Sequence, residues 1–368
     1  MGDSGQGRLL EFARLMVNPP PSAEQQLAFL TKLQRLFAEG DFTATYKFAL
    51  LIALSDLAVE LGADDGAELP LMTRQIAEQF VQQYWRHAVP YGTDQIHATP
   101  GVLAQNLGTQ AAVLTAIEEF RSTLSSTTLQ KARGEVGYGP LLSKVAAVVS
   151  AQPLTYLQNF GGMTDPFLYE RPGRGIVVLR PGVAYCLRRF HPLVQQLARN
   201  HWVEHIKANR RNQGILGDAG DLEDFLFGTS RQSLGIIGAS LRKLDGSRCF
   251  YCGQGLQEAD VDHFVPFALY PRDLAHNFVL AHVQCNRSKS DSLASKGHLQ
   301  RWLERLTTKA GQLGEIGMAA GVATDDKTAH RVAAWGYANA HAAQGRAWIK
   351  ASDYEVVSAD YLAQLTPG

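Results

Sequence analysis

The chain has 368 residues, 45% hydrophobic and 19% charged, a composition that suits a soluble folded protein of roughly two or three domains. Thirty-five Lys and Arg balance thirty-five Asp and Glu. Global charge therefore announces no nucleic-acid partner, and only local patches could. No apolar run is long enough to span a bilayer, the best, Phe48 to Leu54, being stopped by Ser55 and Asp56.

Met1 to Gln6 lacks the basic stretch and apolar run of a secretory signal and the Ser or Thr that myristoylation favours at the sixth position. The expected compartment is the cytoplasm, with no membrane partner. Between Ser22 and Glu39, Leu27, Leu30, Leu33, Leu36 and Phe37 recur at helical spacing. Thr45 to Glu60 is more apolar, with Ala49, Leu50, Ala53, Leu54 and Leu57 on one side, and Leu71 to His87 and Ala111 to Leu124 continue the helical pattern.

The pattern changes after residue 160. Pro166 to Glu170 and Gly175 to Arg180 are β-prone runs separated by Arg171-Pro172-Gly173-Arg174, which is turn chemistry. Pro181-Gly182 then precedes Val183 to Leu187, and helical spacing returns from His191 towards Ala208. This middle part is locally basic: Arg171, Arg174, Arg180, Arg188, Arg189, Arg199, Lys207, Arg210 and Arg211 face only Glu170 and Glu204. It reads either as a phosphate-binding face, with Arg188 and Arg189 as its candidate contacts, or as a solvated surface with local ion pairs. Residues 212–230 read as a linker or exposed loop, Leu299, Trp302, Leu303 and Leu306 mark a helix, and an Ala-rich helix is expected over 328–343.

Three of the four cysteines are clustered. Cys249-Phe-Tyr-Cys252 and His282-Val-Gln-Cys285 are two pairs with the same spacing, and together they supply four ligands for a tetrahedral Zn²⁺. With all four positions taken by protein, that zinc is expected to be structural. The fourth cysteine, Cys186, reads as a small core side chain. His191, His201 and His205 have no recognisable metal partners. No GxxxxGK[ST] phosphate loop occurs, nor the HxE and PCxxC pair of a zinc deaminase.

Between the two pairs lies Val261-Asp262-His263-Phe264-Val265-Pro266, followed by Asn277 and then by Cys285-Asn286-Arg287-Ser288-Lys289. CxxC, DH with hydrophobics and Pro, Asn, and CNxxK in this order resemble the HNH endonucleases. The resemblance places the family's three defining positions on His263, Asn277 and Asn286, the last being Asn where many members have His, as in the HNH domains of CRISPR effector nucleases. It implies a ββα-metal module: a β-hairpin with the catalytic His on its first strand, then a helix beginning near Val283. It also implies one divalent cation, Mg²⁺ or Mn²⁺, held by Asp262 and Asn286, and cleavage to 5′-phosphate and 3′-hydroxyl ends. The chemistry is consistent: imidazole suits a general base near neutral pH, and Asp and Asn offer the hard oxygens Mg²⁺ prefers. Asn277 is expected to tie down the loop that orients His263, and Lys289 and Arg287 to contact phosphate. His282-x-x-Cys285 departs from the second CxxC of many zinc-bearing members, but imidazole is a competent zinc ligand.

The segment Thr45 to Leu51, with Leu54 and Asp56, is similar to a piece found ahead of HNH modules in bacterial nucleases. The expectation is a mainly α protein with a small β-element. Residues 1–160 would be a helical N-terminal region, 161–235 a basic α+β region, 236–300 the nuclease module and 301–368 C-terminal helices. The expected function is metal-dependent hydrolysis of DNA in restriction or anti-phage defence, with a homodimer or a defence-system partner. A ribonuclease effector or toxin, and a non-catalytic zinc-stapled binding protein, are the alternatives.

Overall fold

The computed structural model describes residues 18–92, 100–125, 128–217 and 221–366; Met1 to Gln6 lie outside them. The chain is mainly helical with small antiparallel sheets, and it divides into two compact units. Among the described residues no helix is long and apolar enough to cross a membrane.

The first unit takes residues 1–81, 104–113 and 142–211. Its centre is the helix Tyr46–Leu61, in which every residue from Phe48 to Glu60 is buried. A helix apolar on all sides can sit only inside a core, and this one packs against helices Val183–Arg189 and His191–Ala208. Of its two buried carboxylates, Asp56 accepts hydrogen bonds from His191 Nε2 and Gln195 Nε2, both at 2.8 Å. That pairing accounts for His191, while His201 stacks on Phe37 with ring centres 4.8 Å apart. A three-stranded sheet sets Ile176–Leu179 between Leu69–Met72 and Tyr169–Gly173. Val183 to Leu187, grouped with the β-prone runs by sequence, is helical. Gly182, at φ +79°, turns the chain out of the sheet, and burial of Val183, Ala184, Cys186 and Leu187 outweighs β-propensity.

The second unit takes residues 82–103, 114–141 and 212–368. Its longest helix, Lys296–Ala320, buries Leu299, Trp302, Leu306, Leu313 and Ile316. Arg305 ties this helix to its neighbours, pairing with Asp245 at 2.8 Å on helix Arg231–Asp245 and donating to the Phe278 carbonyl at 3.2 Å. Gly317 is required by space, since a Cβ there would lie 2.6 Å from both Ala275 and Thr324 side-chain atoms. The strands Asp260–His263 and Phe278–Ala281 pair antiparallel, His263 opposite Phe278, and helix Val283–Lys289 follows directly. The exposed loop expected at 212–230 instead carries short helices Gln213–Leu216 and Leu222–Phe227, with Leu216, Leu222 and Leu226 buried. The C-terminal helices Asp326–Ala342 and Ala359–Leu365 are joined by a hairpin, Arg346–Lys350 with Asp353–Val356, that buries Trp348.

Candidate metal centre and the residues around His263

Cys249 and Cys252 lie on a tight loop. Cys249 N–H donates to the Gln254 carbonyl at 2.9 Å and Gly253 N–H returns to the Cys249 carbonyl at 2.9 Å. Gly253, at φ +73°, supplies the left-handed residue this reversal needs. Phe250 N–H donates to Leu280 O at 2.8 Å, which fixes the loop to strand Phe278–Ala281. His282 and Cys285 come from the start of helix Val283–Lys289.

The ligand atoms of Cys249, Cys252, His282 and Cys285 all lie within 4.8 Å of one another. A tetrahedron with Zn–S bonds near 2.3 Å has edges of roughly 3.7 Å, so the set matches a single ion. His282 Nδ1 faces Cys252 Sγ at 3.3 Å, while its Nε2 meets the Gly255 carbonyl at 3.0 Å. That carbonyl holds the proton on Nε2 and leaves Nδ1 as the ligand. Burial raises the Cys249 thiol, but the N–H groups of Cys252, His282 and Tyr251 outweigh it and draw its pKa below the ordinary range. Burial, and then the Cys249 and Cys252 charges, push Cys285 up to about 12. Thiolates crowded in this way are what a bound cation stabilises. The four residues form a Cys3His cluster able to hold a metal ion.

The other expected site residues fall into separate contacts. His263 Nε2 lies 2.9 Å from Asp273 Oδ1. The Asp262 carboxylate is buried, accepts the Tyr251 hydroxyl, and pairs with the Lys289 ammonium at 3.1 Å. Lys289 also donates to the His263 carbonyl at 2.8 Å. Burial holds this lysine below its usual pKa range while Asp262 pulls the other way, and burial first, then Asp262, pushes the Tyr251 phenol far above its own. Asn277, 2% exposed, brackets Val265: its Oδ1 accepts from Val265 N at 2.8 Å and its Nδ2 donates to Val265 O at 2.9 Å. Asn286 donates to Asp260 Oδ2 at 3.1 Å, beside a groove of about 490 Å³ that also touches Gly238 and Arg242. Asp262 and Asn286 make no hydrogen bond to each other.

Two expected phosphate contacts are overturned. Lys289 is fully buried, so its charge belongs to Asp262 and not to a bound phosphate. Arg188 is also buried, donating to Asp64 at 2.8 Å and to the Ala58 and Val59 carbonyls at 3.1 and 2.9 Å, where it caps helix Tyr46–Leu61. Arg189 is half-buried and Arg287 is exposed. Elsewhere in the basic stretch, Arg180 pairs with Glu170 and Lys207 with Glu204. Burial pushes the Cys186 thiol up to about 12, consistent with a core side chain. Sequence reasoning missed Asp273 and Tyr251. Tyr251 sits in plain view inside the CxxC pair, whereas Asp273 is one carboxylate in a loop with no spacing to mark it.

Fold and site together define a mainly helical protein bearing a Cys3His metal-binding cluster. The chain belongs to the DUF8808 family, described as a domain of unknown function, whose model matches residues 26–226, more than half of the sequence. The Cys3His cluster and His263 lie beyond the matched residues. No curated protein matches the chain.

Proposed function

We propose that residues 249–291 form an HNH-type, ββα-metal endonuclease centre that hydrolyses phosphodiester bonds of DNA. The observation that carries this reading is His263 ending the first of two antiparallel strands, with the helix bearing Asn286 directly after the second and the Cys3His cluster beside them. The ion in that cluster is Zn²⁺ in a structural role, because four protein ligands leave no open position. It joins the Cys249–Cys252 loop to the helix start and so sets the frame for His263. His263 acts as general base towards water, and Asn277 fixes the backbone two residues beyond it. Exposed Arg287 is the remaining phosphate contact on the helix, and Arg189 belongs to the wider basic surface.

This reading calls for Mg²⁺ or Mn²⁺ at Asp262 and Asn286. Their fit to such an ion is incomplete, because Asp262 is engaged by Lys289 and Tyr251, and Asn286 by Asp260. A restriction or anti-phage role, a cytoplasmic location, a homodimer or defence-system partner for double-strand cleavage, and RNA as the alternative substrate belong to the same proposal. The closed Asp262–Lys289 pair favours one rival, a zinc-stapled nucleic-acid-binding module without catalysis. Supercoiled plasmid and a matched RNA, each incubated with Mg²⁺, with EDTA and with a zinc-retaining His263→Ala variant, separate these readings. Cleavage by wild type alone, and only with Mg²⁺, is expected. Binding without cleavage would favour the rival, and cleavage by the variant would remove His263 from the active site.

A further inference from the structure

We infer that Asp273 is the positioning residue of His263, setting which ring nitrogen receives a proton; this rests on the endonuclease reading above. The imidazole packs against two phenyl rings, each tilted 49° to it, with ring centres 4.6 Å away at Phe278 and 5.2 Å at Phe267. Its Nε2 lies 2.9 Å from Asp273 Oδ1, and the side chains are only 16% and 20% exposed. This is the one hydrogen bond the ring makes to a described residue. A carboxylate can only accept, so neutral His263 carries its hydrogen on Nε2 and keeps the lone pair on Nδ1. Nδ1 is therefore the base. As water oxygen bonds to phosphorus, its proton passes to Nδ1. The P–O3′ bond breaks with its electron pair on the 3′ oxygen, which is then protonated by solvent.

Asp273 is itself held. Its second oxygen accepts the Thr229 hydroxyl. Thr229 directly precedes Ser230, the N-cap of helix Arg231–Asp245, whose Oγ accepts from Ser233 N at 3.1 Å. Arg86 donates to the neighbouring Gly228 carbonyl and so braces the same turn. The order Thr229, Asp273, His263 is a relay of orientation with no spacing in the sequence to announce it.

The test uses full-length, zinc-loaded protein labelled with ¹⁵N. Long-range ¹H–¹⁵N spectra of the imidazoles at alkaline pH report the tautomer, with the His263 signal assigned by its loss in His263→Gln. Wild type is expected to show hydrogen on Nε2. In Asp273→Asn the Thr229 hydroxyl keeps the amide oxygen, so the NH₂ group faces Nε2 and the tautomer reverses. Single-turnover plasmid nicking should then fall by about 10²-fold or more with DNA affinity unchanged. Asp273→Ala, checked for zinc content and thermal unfolding, should mix the tautomers, and Asp273→Glu should restore part of the rate. An unchanged tautomer in both Asn and Ala variants, or wild-type nicking rates in both, overturns the proposal. If wild type cuts neither DNA nor RNA while the tautomer still reverses, the Asp273–His263 pairing stands and the endonuclease reading falls.

Discussion

Lys289 has no exposed surface, and its ammonium is held by Asp262 at 3.1 Å and by the His263 carbonyl at 2.8 Å. Removing one partner of a buried pair leaves the other charge desolvated and alone, which costs more than the intact pair contributes. Lys289→Met is therefore expected to lower unfolding free energy by about 3 kcal/mol in urea titration. The Lys289→Met, Asp262→Asn double variant should lose less than the two single losses combined, because it leaves no lone charge. Additive losses would mean the pair is not coupled. Arg188 obeys the same physics, its charge answered by Asp64 and by two carbonyls of the last helical turn. Charge reversal at Arg188 would thus damage the fold and would not report on DNA binding.

The strands Asp260–His263 and Phe278–Ala281 have four residues each, too few to be stable in isolation. Two devices compensate. Phe264 stacks on Trp302 of the long helix with ring centres 4.8 Å apart, and the Cys3His cluster joins the loop before the first strand to the helix after the second. We expect about one zinc per chain by elemental analysis. Replacing His282 with Ala should abolish tight zinc retention and broaden or lower the thermal transition. Purified wild-type protein free of zinc, with an unaltered melting curve after chelation, would remove the metal from the account.

The two units are interleaved along the chain. The unit that holds His263 also draws on residues 82–103 and 114–141. Within it, Arg272 donates to Gln82, Arg86 to Gly228, and His87 Nε2 meets Leu226 O at 2.9 Å. A fragment cut where the DUF8808 match ends, residues 227–368, would expose the apolar surfaces these segments cover. It is expected to lack a cooperative melting transition by circular dichroism, with or without zinc, whereas the full chain melts cooperatively. A cooperative fragment would show that the earlier segments are dispensable.

Features that depend on near neighbours were legible from the residues alone. Two-residue spacing set the metal ligands, because a CxxC or HxxC pair brings both donors to one turn whatever surrounds it. Local pattern placed the helices near 22–39 and 191–208, where apolar side chains recur at helical spacing, and the one near 45–60, where the run is apolar throughout. Tertiary structure alone decided the rest. It made Val183–Arg189 a helix, buried leucines in 212–230, folded a hairpin at Arg346–Val356, and turned Lys289 and Arg188 inward. It also joined Asp273 to His263, ten residues away along the chain, and to Thr229, forty-four away. The physical reason is the same in each case: burial, and the partner a polar group must find once buried, are settled by segments remote in sequence, and no local pattern carries that information.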